Sequence, residues 1–157
     1  MGSEIERKFL VRDDSWRAGA SGLELRQGYL SSVKERTVRV RTVGERGWIT
    51  VKGVTRGIRR QEFEYEIPVA DAREMLDALC ERPLIEKVRY RITHASHTWE
   101  VDEFLGDNQG LVVAEVELAD ESVEVELPAW AGEEVSGDPR YFNSSLVKSP
   151  WPAWGRR

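Results

Sequence analysis

Glu4-Ile5-Glu6-Arg7-Lys8-Phe9-Leu10-Val11 decides the reading of this chain. In a strand, residues i, i+2 and i+4 point to one face. Glu4, Glu6 and Lys8 therefore share a face, with Ile5 opposite. Arg7 falls on the apolar side, where its stem packs while its head reaches water. Two carboxylates and an ammonium in one row suit a hard cation and a phosphate together. A lone edge strand with a solvated face would look the same, but the pattern returns on most later strands.

Working outward, Asp13 to Arg17 reads as a capped helical turn. Leu23 to Ser32 is a strand in which Gln27, Tyr29 and Ser31 alternate with Arg26, Gly28 and Leu30. Thr37 to Val43 places Arg39 and Arg41 on one face. A Gly44–Gly47 turn leads to Trp48–Lys52, so this pair is a hairpin, and Thr50 and Lys52 share a face. From Arg60 to Ile67, Glu62, Glu64 and Glu66 alternate with Phe63 and Tyr65. Asp71-Ala72-Arg73-Glu74 reads as a capping box. It opens a helix over 71–81 with Ala72, Met75, Leu76, Leu79 and Cys80 on one stripe, ended by Pro83. Glu86 to Thr93 sets Lys87, Arg89 and Arg91 opposite Val88, Tyr90 and Ile92. His94 and His97 sit in a turn, where they carry no specific signal. Trp99 to Phe104 carries Glu100 and Asp102 on one face, and Leu111 to Leu118 carries Glu115 and Glu117. Pro128 to Gly132 marks a turn, Tyr141 to Leu146 a short helix, and Trp151 with Trp154 a loosely packed end.

The 157 residues, 40% hydrophobic and 32% charged with net charge −5, suit one soluble domain over 1–157. The acidic balance argues against nucleic-acid or membrane partners. No apolar run approaches membrane-span length, and the N-terminus lacks a signal-peptide core. The one cysteine, Cys80, excludes an internal disulfide and reads as a small core residue. A cytoplasmic location is expected.

The charged faces collect Glu4, Glu6, Glu62, Glu64, Glu66, Glu100, Asp102, Glu115 and Glu117 with Lys8, Arg39, Arg41, Lys52, Lys87, Arg89 and Arg91. Two architectures follow from periodicity alone. One is a one-sided sheet with a salt-bridged wet face. The other is a mainly β protein whose eight antiparallel strands close into a barrel, apolar outside and charged within. In that barrel the 71–81 helix and the C-terminal segment pack outside. Enclosed charges of both signs need a charged ligand as well as each other. A chain of phosphates with Mg²⁺ or Mn²⁺ answers both: Arg and Lys hold phosphoryl oxygens, carboxylates hold the metal. By the faces they share, Arg91 joins the phosphate-binding bases and Asp102 the metal-binding acids.

The ordered motifs resemble the CYTH superfamily, the triphosphate tunnel metalloenzymes. Glu4-Ile5-Glu6-Arg7-Lys8 matches its ExExK signature. Val-Arg-Val-Arg at 38–41, Thr-Val-Lys-Gly at 50–53 and Glu-Phe-Glu-Tyr-Glu at 62–66 follow in order. Glu-Lys-Val-Arg-Tyr-Arg at 86–91, Trp-Glu-Val-Asp-Glu-Phe at 99–104 and Ala-Glu-Val-Glu-Leu at 114–118 complete it. The resemblance runs from residue 4 to about 147. It implies an eight-stranded antiparallel tunnel and metal-dependent chemistry on triphosphates. It also implies Glu4, Glu6 and Glu117 as ligands of the main metal, with Glu115 beside them. Lys8, Arg39, Arg41, Lys52, Lys87 and Arg89 are implied as phosphate-binding groups, and Glu62 and Glu64 as holders of a second metal or of water. Among relatives, the chain is most similar to the short bacterial inorganic triphosphatases, which implies that Tyr29 assists Lys8.

The expected activity is hydrolysis of tripolyphosphate to pyrophosphate and orthophosphate by direct attack of water, since no Ser-His-Asp or Cys-His constellation occurs. The rivals are an adenylate cyclase or a thiamine or nucleoside triphosphatase on the same fold, and a polyphosphate-binding module without turnover. Intact Glu4, Glu6, Glu115 and Glu117 argue against the last. A homodimer is allowed. Tyr29 is the one aromatic expected inside, with Trp48, Phe63, Tyr65, Tyr90 and Trp99 facing out.

Overall fold

The computed structural model of the protein describes residues 3–151. Nine strands form one sheet: β1 (Ser3–Val11), β2 (Gly22–Ser31), β3 (Arg36–Val43), β4 (Arg46–Gly53), β5 (Arg59–Ile67), β6 (Ile85–His94), β7 (His97–Phe104), β8 (Val112–Glu117) and β9 (Ala131–Glu134). Two helices accompany them, α1 (Val69–Ala78) and α2 (Asn143–Lys148). The sheet order is β5-β4-β3-β2-β6-β7-β8-β1-β9, all antiparallel, and an extra β1–β5 pairing closes the first eight strands into a barrel. β1 is the seam. One of its edges pairs with β8 over Glu6–Leu10, while the other is shared, β5 taking Ser3–Ile5 and β9 taking Phe9 and Val11. The eight barrel strands are those expected; β9, expected as a turn, has no alternation to announce it.

Two apolar clusters cover the outside. Phe9, Trp99, Val101, Ala114 and Val116 pack with Trp16 and Trp130. Val40, Ile49 and Ile67 pack under Ala72, Leu76 and Cys80. α1 sits close because the strands beneath it carry glycines: a Cβ on Gly28 would lie 2.8 Å from that of Cys80, and one on Gly47 2.7 Å from that of Ala72.

The helix differs from its expectation at both ends. It begins at Val69 after Pro68, and Asp71 sits in the first turn, favourable to the dipole but making no capping bond. It stops at Ala78, where the amides of Leu79 and Cys80 both turn to the Met75 carbonyl. The stripe therefore loses Leu79, which is 68% exposed.

The inside holds the larger correction. Directly opposed residues on antiparallel strands share a face. Register pairs Leu10 with Val113, Val113 with Asp102, Lys87 with Phe104, and Gln27 with Ile85. The inward face is thus ionic over one part of the barrel and apolar over the other. Tyr29, Ile85, Phe104 and Val113 form a buried cluster with Val135, Tyr141, Leu146 and Val147. The C-terminal segment, expected outside, plugs that end, because Leu146 and Val147 meet the apolar inward residues there. Trp151 packs against this plug and donates its backbone N–H to Asn108 Oδ1 at 2.8 Å. Trp154 lies outside the described residues.

Candidate active site: a charged cavity in the barrel

A cavity of about 610 Å³ occupies the ionic part of the barrel. Seven glutamates line it (Glu4, Glu6, Glu62, Glu64, Glu100, Glu115 and Glu117) and eight bases (Lys8, Arg39, Arg41, Lys52, Arg60, Lys87, Arg89 and Arg91). Such a balance suits neither a bare anion nor a bare cation, but a complex of both.

The acids come mainly from β1, β5 and β8, brought together by the seam. Glu6 lies opposite Glu117, and Lys8 opposite Glu115. Burial, together with the charges of Glu115 and Glu4, pushes the Glu6 carboxyl well above the usual range. Glu115 goes the other way: burial raises it, but Lys8 and a hydrogen bond with Glu6 hold it at about 2. The two carboxyls are hydrogen-bonded to each other. Burial and Glu4 likewise raise Glu62, and burial, Glu4 and Glu100 raise Glu117. These are carboxylates crowded together without a full complement of cations. Among the described residues, no three acidic, His or Cys side chains are already gathered as a metal-ligand set. The donors are nevertheless hard carboxylate oxygens crowded together, so the residues fit Mg²⁺ or Mn²⁺.

Five of the bases fall into three arrangements. Arg39 and Arg41 bracket Glu64 at 3.2 and 3.4 Å, and Thr50 Oγ1 donates to the same carboxylate at 2.7 Å. Despite burial, these contacts lower Glu64. Burial and the neighbouring Arg39 and Arg89 bring Arg41 down to about 10. The Nε atoms of Arg39 and Arg41 are buried without a hydrogen-bond partner, donors waiting for an acceptor. Lys52 bridges Glu4 at 2.8 Å and Glu62 at 3.4 Å. Lys87 and Arg89 both hold Asp102, Lys87 Nζ at 2.8 Å and Arg89 through a two-pronged contact at 2.7 and 2.9 Å.

Asp102, expected among the metal ligands, is corrected here. It is 1% exposed, does not line the cavity, and spends both oxygens on Lys87 and Arg89, which hold it far below the usual carboxylate range. Its row lies one step further into the barrel than Glu100 and Glu115, beside apolar Val113. Arg91 reaches only the rim, its side chain 68% exposed and paired with Glu100. Glu66 is outside the cavity, paired with Arg46. Tyr29, 5% exposed, lines the cavity and also belongs to the plug cluster. Lys8 Nζ donates to the Tyr141 carbonyl at 3.3 Å and lies 5.6 Å from the Phe142 ring centre. Trp48 was expected outside, yet it opposes Arg41 on the inward face, its ring 5.6 Å from that guanidinium and 5.1 Å from that of Arg46. The alternation with Thr50 and Lys52 already implied as much.

A CYTH domain model matches residues 2–147. The chain belongs to the CYTH family. It is 54% identical over 151 residues to an inorganic triphosphatase of Acetivibrio thermocellus, covering 96% of this chain and 97% of that protein. It is 37% identical over 154 residues to an inorganic triphosphatase of Nitrosomonas europaea, covering 94% and 98%. The crystal structure of the inorganic triphosphatase NE1496 superposes with a TM-score of 0.65 at 33% identity, covering 93% of this chain and 99% of that one.

Within this CYTH barrel, sequence reasoning missed Arg60, His97, Phe142, Asn143 and Ser144, all of which line the cavity. Arg60 was legible, since it shares the period of Glu62 and opposes Glu4. The others were not: His97 opens β7 with the parity of the outward Trp99, and Phe142, Asn143 and Ser144 reach the cavity through the plug, where no strand period applies.

Proposed function

We propose that the protein hydrolyses inorganic tripolyphosphate to pyrophosphate and orthophosphate. The observation that carries this reading is the cavity itself, with crowded carboxylates on one side and guanidinium and ammonium donors on the other. Both named relatives, matched over nearly their whole length, are inorganic triphosphatases.

Arg39, Arg41, Lys52 and Arg89 grip phosphoryl oxygens, and the Nε–H donors of Arg39 and Arg41, which no protein group takes, supply two further bonds. Glu4, Glu6, Glu115 and Glu117 hold the metal, which when bound neutralises phosphate charge. Lys8, opposite Glu115, stabilises charge on the departing group, with Tyr29 in the same lining. Between the two candidates for orienting water, Glu62 is the better proton acceptor: burial and Glu4 raise its basicity, while Thr50 and two arginines depress that of Glu64. The plug keeps bulk water from the far side. Catalysis here needs positioning and charge neutralisation more than covalent help.

The preference for an inorganic substrate rests on the aromatic inventory. Phe142 lines the cavity with Lys8 and Arg60 at 5.6 and 5.5 Å from its ring centre, whereas Trp48, beside Arg41 and Arg46, does not line it. Cations thus already engage the Phe142 ring, and Tyr29, the other lining aromatic, is 5% exposed within the plug cluster, so the cavity favours a compact anion over a nucleobase that needs stacking. The test is to offer tripolyphosphate, ATP and thiamine triphosphate side by side at equal free Mg²⁺ or Mn²⁺, with products identified. Higher kcat/KM for tripolyphosphate is expected. Equal use of ATP, or any cyclic AMP, would replace this reading with the nucleotide one.

A further inference from the structure

The plug does more than fill the barrel's apolar end. Its first helical residue, Asn143, enters the cavity, and its Oδ1 accepts two hydrogen bonds, from Lys87 Nζ at 2.8 Å and from Gln27 Nε2 at 3.0 Å. Lys87 is 1% exposed and Gln27 fully buried. An ammonium has three donors. In Lys87 one goes to Asp102 and one to Asn143, on the β7 and plug sides respectively. That leaves one N–H, and Lys87 lines the cavity. Gln27 stands on β2 beside β6 and β3, so the Asn143 amide is itself oriented from the barrel wall. A long, flexible lysine thus becomes a fixed single donor.

We infer that Asn143 is a positioning residue, which holds Lys87 so that its remaining N–H meets the phosphate chain. The plug is then part of the phosphate grip, not only a stopper. This rests on the cavity's being a triphosphate site, as proposed above, but not on turnover. Without Asn143 the Lys87 ammonium would keep Asp102 and swing about that single contact. Phosphate binding would weaken, while the acid cluster, which Asn143 does not touch, would keep its affinity for metal.

The experiment measures calorimetric binding of tripolyphosphate without metal, and of Mn²⁺ without tripolyphosphate, for the native chain and Asn143→Leu. Leucine has similar bulk but accepts no hydrogen bond. The expected result is tripolyphosphate binding weakened about ten-fold, the scale on which outer-layer partners act, with Mn²⁺ binding unchanged. Both measurements are repeated in a Lys87→Met background, where Asn143→Leu should cost nothing further, because residues acting through one contact are not additive. An equal loss in both backgrounds, or a parallel loss of Mn²⁺ affinity, would show a general structural role and overturn the inference. So would unchanged tripolyphosphate binding. If Lys87→Met does not fold, Gln27→Met serves instead: it frees the Asn143 amide and should weaken tripolyphosphate several-fold with Mn²⁺ unaffected, and no change overturns the inference. Activity is assayed separately. A native chain that binds tripolyphosphate through this relay but releases no phosphate overturns the hydrolytic reading alone. One that does not bind it overturns both.

Discussion

The two ends of the barrel interior are built from the same eight strands and the same inward alternation, yet they do opposite things. One end gathers Glu4, Glu6, Glu62, Glu115 and Glu117 against lysines and arginines and stays hollow. The other turns Leu10, Ile85, Phe104 and Val113 inward and is filled by Val135, Tyr141, Leu146 and Val147. The filled end is ordinary hydrophobic burial, which stabilises the fold. The hollow end buries like charges next to each other, which costs stability in the metal-free protein and is retained for its ligand. Asp102, Lys87 and Arg89 lie at the boundary, where Asp102 has both oxygens engaged while Lys87 and Arg89 still line the cavity.

The largest expected effect tests that division at the hollow end. Glu6→Gln keeps the side chain's size and its hydrogen bond to Glu115 but removes an anionic oxygen. Activity at limiting Mn²⁺ should fall by about a hundred-fold or more, with the melting temperature no lower than that of the native chain. Normal turnover would end the assignment of Glu6 as a metal ligand.

The filled end should respond in reverse. Leu146 is fully buried in the plug, so Leu146→Ala should cost about 3 kcal/mol, or a melting temperature lower by roughly 6–12 °C. Well below the melting point, kcat should stay within a few-fold of native. A loss of activity as deep as that of Glu6→Gln, in a chain still folded, would show that the two ends are one functional unit.

The pH dependence of stability separates the ends more finely. Glu6, Glu62 and Glu117 have raised folded pKa values, so their contribution is whole below the unfolded carboxylate range and declines as pH rises through the folded values. Asp102 and Glu115 have lowered ones, so theirs is present above the unfolded range and lost as pH falls through the folded values. The metal-free protein should therefore melt highest at mildly acidic pH and less high at neutral pH. Mn²⁺ should remove the neutral-side decline, and Glu6→Gln should flatten it. A metal-free melting temperature that rises steadily to pH 7.5 would contradict the crowded-carboxylate picture.

The smallest effect belongs outside both ends. Arg46 and Glu66 form an exposed pair at 2.8 Å, and such pairs contribute little. Glu66→Gln should leave both melting temperature and kcat/KM within error, although Glu66 continues the alternation of Glu62 and Glu64. A clear loss of activity would extend the site beyond the cavity.

Alternation alone determined a good deal here. It set where the eight strands lie, which side of each carries charge, and the placing of Glu4, Glu6, Lys8, Arg39, Arg41, Lys52, Glu62, Glu115 and Glu117 on those charged sides, because the period of two is a local property of the strand backbone. Arg60 and Trp48 obeyed the same rule. That the strands close so that these sides form one lining was decided by the β1–β5 pairing. What alternation does not encode is position along the barrel axis. Whether an inward residue meets the cavity, as Glu115 does, or is sealed with its partners, as Asp102 is, depends on the register between neighbouring strands. That register is set by contacts distant in sequence, such as the β1–β5 seam between Glu4 and Arg60. The plug was decided in the same way. Nothing local to Phe142, Asn143 or Leu146 says that they enter a barrel closed far upstream; they do so because its far end turns apolar side chains inward and leaves them uncovered until the C-terminal segment arrives.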